Sequence, residues 1–227
     1  MKNIKKYIFL IISFIIISNF GFGQNNEIKI KFIGNCGLYM TDGDLNLYLD
    51  FPYKSGAHNY MEYDSSELDS ISNNSVFIFT HRHSDHYSKK ILRKIKKEHE
   101  GKVFGNWNTT ELNELNNSVN DFTVKAIKTS HKFTFKHFSY LITWHNKKIY
   151  ISGDTGSLEE LSKLKGIDLA FMNPWLFMNA EKEKVTIDAK MFGIYHLYPD
   201  QKIGEGFPDN VHFLTEQNEI ILIPYNN

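Results

Sequence analysis

Thr80-His81-Arg82-His83-Ser84-Asp85-His86 decides how this chain reads, because three imidazoles and a carboxylate fall within the six residues from His81 to His86. Neutral imidazole suits zinc and similar borderline ions, and carboxylate adds charge balance and can bridge two cations, so this is the composition of a metal site. Immediately upstream, Val76-Phe77-Ile78-Phe79 is a continuous apolar run, the pattern of a strand covered on both faces. The histidines therefore begin where a buried strand stops. Downstream, Ser88 to Lys97 sets Ile91, Leu92 and Ile95 at helical spacing among lysines, which predicts an amphipathic helix with its charges in solvent.

The same arrangement recurs along the chain. Phe122 to Ile127 reads as a strand that runs into His131, Lys148 to Ile151 as one that runs into Ser152-Gly153-Asp154, and Phe192 to Tyr195 as one followed directly by His196. Strand ends converge at a sheet edge, where ligand sites of layered α/β folds lie, so residues far apart in sequence can meet there. Around these sit an opening meander of Ile28 to Ile33, Leu38 to Thr41 and Leu45 to Leu49, turning at Asn35-Cys36-Gly37 and Asp42-Gly43-Asp44. Further strands are expected at Lys102 to Phe104, Leu169 to Met172 and Ile220 to Ile223. Phe133 to His137 and Tyr140 to Trp144 read as an antiparallel pair. Helices are expected at Ser65 to Glu67, Thr110 to Leu115, Gly156 to Lys165 and Thr186 to Met191, and a turn at Asn173-Pro174. No internal period indicates a repeat protein.

The 227 residues are 41% hydrophobic and 23% charged, the balance of a globular protein with a sizeable core. Lys2, Lys5 and Lys6 followed by the apolar stretch Tyr7 to Ile17 and the small residues of Gly21-Phe22-Gly23 read as a signal peptide over 1–23, cleaved before Gln24. Residues 24–227 then form one domain, periplasmic or secreted, with no stable membrane association. Cleavage removes lysines and no acids and leaves a slight net negative charge, so no nucleic-acid partner is implied and a small-molecule substrate is. The single cysteine, Cys36, excludes an internal disulfide and reads as a small buried strand residue, since its sequence neighbours are not ligand types.

Through His81-x-His83-x-Asp85-His86, His131, Ser152-Gly153-Asp154 and His196, the chain resembles the metallo-β-lactamase superfamily of metal-dependent hydrolases, over essentially all of 28–224. The resemblance implies a four-layer αββα sandwich, two mixed β-sheets flanked by helices. It implies that His81, His83 and His131 hold a first divalent ion, that Asp85, His86 and His196 hold a second, and that Asp154 bridges them. Zinc is the first choice of metal, with iron or manganese also accepted by these ligands. Two ions about 3.5 to 4 Å apart can share a hydroxide nucleophile and polarise the scissile group. Asp85 would then be catalytic as well as a ligand, orienting or accepting a proton from the water. Asp50 matches a family carboxylate that hydrogen-bonds a ligand histidine.

No cysteine neighbours a ligand in the sequence, unlike many zinc β-lactamases, and the chain resembles the compact members that act on lactones or phosphodiesters. The expectation is an exported dinuclear hydrolase of an ester, lactone or phosphodiester. The competing expectation is a metal-dependent binding or sensing protein without turnover. Tyr53, Lys54, His58, Tyr60 and Tyr63, together with Asn173, Trp175 and Phe177, are candidate pocket walls. His99, His137, His145 and His212 read as ordinary polar side chains.

Overall fold

A computed structural model describes residues 26–226; the expected signal peptide lies outside the described residues. The opening meander forms as β1 (Glu27–Gly34), β2 (Gly37–Thr41) and β3 (Asn46–Leu49), continued by the parallel strands β4 (Ser75–Phe79) and β5 (Gly101–Gly105). With β12 (Ile220–Pro224) antiparallel to β1, they make one six-stranded sheet in the order β12-β1-β2-β3-β4-β5. The second sheet, also six-stranded, runs β11-β10-β9-β8-β7-β6. Its strands are β6 (Phe122–Thr129), β7 (His137–Trp144), β8 (Lys147–Ile151), β9 (Ile167–Met172), β10 (Ala189–Ile194) and β11 (Val211–Phe213). Here β6, β7 and β8 are antiparallel neighbours, whereas β8 to β11 are parallel. Both sheets are therefore mixed, as expected.

Alternation along the strands supplies the central core. Ile28, Ile30 and Phe32 of β1 point inward while Lys29 and Lys31 point away, and Val124, Tyr140, Ile142, Ile149 and Phe171 meet them from the second sheet. The outer face of the first sheet carries Tyr48, Phe77 and Phe79 and is covered by α2 (Lys89–Glu98) through Leu92 and Ile95, with the short α1 (Ser66–Asp69) nearby. On the outer face of the second sheet, α4 (Pro174–Glu183) buries Leu176, Phe177 and Ala180 beside Tyr150, Ala170 and Ile194. A further helix, α3 (Leu112–Ser118), sends Leu112 and Leu115 into the central core. Each residue of β4 is buried, which explains its unbroken apolar run.

Four expectations differ from this architecture. Residues 156–165 are mostly turn, with one 3₁₀ turn at Leu161–Lys163, because Thr155 and Ser157 hydroxyls accept from the Ser157 and Glu159 amides and offer the backbone an alternative to helix. Residues 186–191 lead into β10, whose ladder with β9 starts at Ala189 and Ile167 and overrides the weak helical spacing. Asn173-Pro174 opens α4 rather than a turn: the Asn173 side chain accepts from the Leu176 amide and proline takes the first helical turn. Finally, β7 begins at His137 and pairs with β6, leaving 130–136 as a loop with Phe133 and Phe135 exposed.

Candidate metal centre

The loops that leave β1, β4, β6, β8 and β10 meet at one edge of the sandwich. After β4 the chain turns sharply, with the His86 and Tyr87 amides both bonding back to the His83 carbonyl, so that His81, His83 and His86 face one another. Arg82 points elsewhere and lies 4.4 Å over the Trp107 ring. Gly153 permits the close turn that delivers Asp154. Its φ is +57°, and a Cβ there would stand 2.7 Å from His137 Nε2 and 2.9 Å from Thr80 Cβ.

Two groups of ligand atoms result. In one, His81, His83, His131 and Asp154 converge, with His83 Nδ1 3.2 Å from His131 Nε2 and the Asp154 Oδ2 3.8 and 3.7 Å from His81 and His131 Nε2. In the other, Cys36, His86, Asp154 and His196 converge, with Asp154 Oδ1 3.0 Å from His86 Nε2 and 3.1 Å from His196 Nε2. Asp154 belongs to both. Each group draws one half of its atoms from loops of the first sheet and one half from loops of the second. Asp85 stands at the side of the second group, its Oδ2 3.5 Å from His196 Nε2 and outside the four converging atoms. Gly56, at φ +71°, lets the long loop lie against it.

The surroundings fix the rings. Asp50 Oδ2 is 2.8 Å from His86 Nδ1, and the same carboxylate accepts from the Thr80 amide and hydroxyl, so it fixes the His86 ring, a candidate ligand. His131 Nδ1 donates to the Asp154 carbonyl at 2.9 Å. Asn35, Asp50 and His196 all hold left-handed backbone, at φ of 47°, 46° and 59°. These are residue types that tolerate this conformation, which turns the chain sharply at each of the three positions.

A cation fits this donor set. His81 Nε2 and Asp154 Oδ1 are buried without a hydrogen-bond partner, and both aim into the groups. Burial works against charge on Asp154, but His196 and His86 outweigh it and hold the carboxyl well below its ordinary range. Burial lowers the His81 pKa and favours the neutral ring, whereas for His86 and His196 the Asp154 carboxylate outweighs burial and raises the pKa, favouring a proton that a bound cation would displace.

Above the groups opens a cleft of about 1150 Å³ floored by His83, Asp85, His131 and Asp154. Of the expected walls, His58, Tyr60 and Trp175 line it, joined by Tyr198 and Phe133. The Tyr60 ring packs edge-on against His196, centroids 4.2 Å apart. Tyr53 is instead buried, donating to the Met61 carbonyl, Phe177 belongs to the core under α4, and Asn173 caps that helix. Two residues near the centre are not evident from the sequence. Cys36 has no ligand beside it in the chain, yet its Sγ is 3.6 Å from His86 Nε2, because the β1–β2 turn folds over the end of β4. His137 is buried beside the centre, accepting from the Asp154 amide through Nε2 at 2.9 Å. Its ring reaches the Thr129 hydroxyl at 2.7 Å because the two residues are register partners of β6 and β7, a pairing that the sequence around His137 does not announce.

This architecture is the metallo-β-lactamase fold. It is shared with YhfI of Bacillus subtilis, a metallo-β-lactamase-fold protein, at 15% identity and a TM-score of 0.57 over 87% of this chain and 99% of that one. A metallo hydrolase of Ignicoccus hospitalis, Igni18, is similar at 13% identity and a TM-score of 0.61 over 88% and 100%. A candidate metal-dependent hydrolase of Parabacteroides distasonis is similar at 21% identity and a TM-score of 0.53 over 77% and 84%. No family model and no curated protein matches the sequence.

Proposed function

We propose that the chain is a metal-dependent hydrolase that cleaves a small ester, lactone or phosphodiester at a dinuclear centre. One observation carries this reading: two adjoining groups of ligand atoms share Asp154 at the floor of an open cleft. Two divalent ions held there, zinc by preference, supply Lewis acidity and lower the pKa of a water towards about 7. The protein does the rest. The Asp85 carboxylate, reaching the cleft beside His196, orients the attacking water and accepts its proton. Asp50 and the Asp154 carbonyl keep the rings of His86 and His131 aimed. His58, Trp175 and Tyr198 form an aromatic wall for an acyl or lactone group and exclude water from one side.

Export is part of the proposal and rests on the basic and apolar pattern of 1–23. Among the described residues no helix is long and apolar enough to cross a membrane. Edman sequencing of the processed protein should begin at Gln24.

Metal analysis of purified protein should return about two ions per chain. His83→Ala should lower that number and Asp154→Ala should lower it further, each with loss of metal-dependent turnover on a panel of lactones, thioesters, phosphodiesters and β-lactams. Full turnover in chelator-treated protein would overturn the reading. Two bound ions with no turnover on the panel would replace it with metal-dependent ligand binding.

A further inference from the structure

We propose that Cys36 is a thiolate ligand of the second metal site, completing a sulfur, nitrogen, nitrogen and oxygen set with His86, His196 and Asp154. The inference rests on the dinuclear reading above and assigns a ligand that the histidine and aspartate pattern does not contain.

Geometry carries it. Bonds of about 2.0 to 2.1 Å to nitrogen or oxygen and about 2.3 Å to sulfur give tetrahedral edges of about 3.3 Å and 3.6 Å respectively. Cys36 Sγ to His86 Nε2 is 3.6 Å. The other edges are 3.2 Å between His86 and His196 Nε2, and 3.0 and 3.1 Å from these to Asp154 Oδ1. All four atoms lie within 4.8 Å of one another and all four residues are buried. Asp154 Oδ1 points into the same space without a hydrogen-bond partner, in a residue only 5% exposed. A thiol that merely filled space would need none of this convergence.

The turn that presents the sulfur is built into the centre. Asn35 donates through Nδ2 to the Asp85 carbonyl at 2.8 Å, and the His196 amide donates to the Asn35 carbonyl at 3.0 Å. The turn is thereby bonded to segments carrying the ligands on both sides. Gly34 and Gly37 let it sit under Tyr53, whose ring and hydroxyl a Cβ at either glycine would meet at 3.0 Å or less. Coordination replaces the S–H bond by an S–metal bond and releases the proton to the buffer. A thiolate is a soft ligand, so the second site prefers zinc to manganese or magnesium.

Cobalt(II) titration of the metal-free full chain tests this. The wild type should develop a near-ultraviolet sulfur-to-cobalt charge-transfer band as the second equivalent binds, and the chain's single cysteine gives that band one source. Cys36→Ser should lose the band and bind its second cobalt at least about 10-fold more weakly. Unchanged first-ion affinity in Cys36→Ser and Cys36→Ala reports an intact fold. Two cobalt ions bound by wild type without the band, or a band that survives in Cys36→Ser, overturns the thiolate and leaves the dinuclear hydrolase reading standing. Failure to bind cobalt at all overturns both.

Discussion

His137 shows how much a single buried side chain can contribute beside such a centre. Its Nε2 accepts from the Asp154 amide, so the ring proton sits on Nδ1 and is donated to the Thr129 hydroxyl at 2.7 Å. This arrangement needs the neutral ring, and burial pushes its pKa down to about 3 from the ordinary 6.5. Because the folded value is the lower one, the unfolded chain binds the extra proton. The contribution of His137 to stability is complete above pH 6.5 and is lost as the pH falls towards 3, at about 1.4 kcal/mol per pH unit. Urea midpoints of metal-free protein should fall steadily from pH 6 to pH 4. His137→Gln, whose amide oxygen can take over the acceptor role without titrating, should flatten that slope by about the same amount. An unchanged slope would assign the acid sensitivity to the other buried histidines. The residues that read most clearly in the sequence are the clustered ones, His81 to His86. Cys36 and His137 stay hidden for a common physical reason: a turn and a strand start bring them to the centre only in three dimensions, and neither stands next to a candidate ligand in the chain.

At the scale of elements, strand ends are legible because a buried strand must stop at the sheet edge, and a ligand type set directly after its apolar run is delivered to that edge. Seven expected ligand positions come from the ends of β4, β6, β8 and β10, and the fold gathers all of these ends at one edge. The helices are harder. The α2 pattern is clear because Leu92 and Ile95 stand against a charged face, whereas α4 has an apolar first half and a charged end with no distinct stripe, and Asn173-Pro174 reads equally as a turn or a helix start. Residues 186–191 carry helical spacing, but a parallel ladder to β9 decides their conformation, and no local pattern reports a partner strand. The amphipathic reading of α2 is testable on its own. Ile95→Ala should cost about 2 to 4 kcal/mol in urea unfolding, since it opens a void against the outer face of the first sheet. Lys94→Ala, on the exposed face, should stay within about 0.5 kcal/mol. Equal effects would mean that the helix does not cover the sheet as described.

For the whole molecule, two well-packed sheets account for the fold without help from the centre: the central core runs the length of the sandwich and the outer cores complete it. Chelation should therefore leave the protein folded and lower its melting temperature. With free metal at about 100 times the dissociation constant, binding adds about 2.7 kcal/mol per site, or roughly 5 to 10 °C for a chain of this size. Differential scanning calorimetry with and without chelator measures this, and unfolding on chelation would show that the cores are less self-sufficient than they look. The origin of the ligands adds a further consequence. Each group takes Cys36 or histidines from loops of the first sheet and His131, Asp154 or His196 from loops of the second. An ion bound in either group is thus a cross-link between the halves of the sandwich. The chain's one cysteine can form no internal disulfide, and coordinate bonds spanning residues 36 to 196 would take that place. Such bonds would act only at this edge of the sandwich, so removing the ions should loosen it first and leave the opposite edge closed.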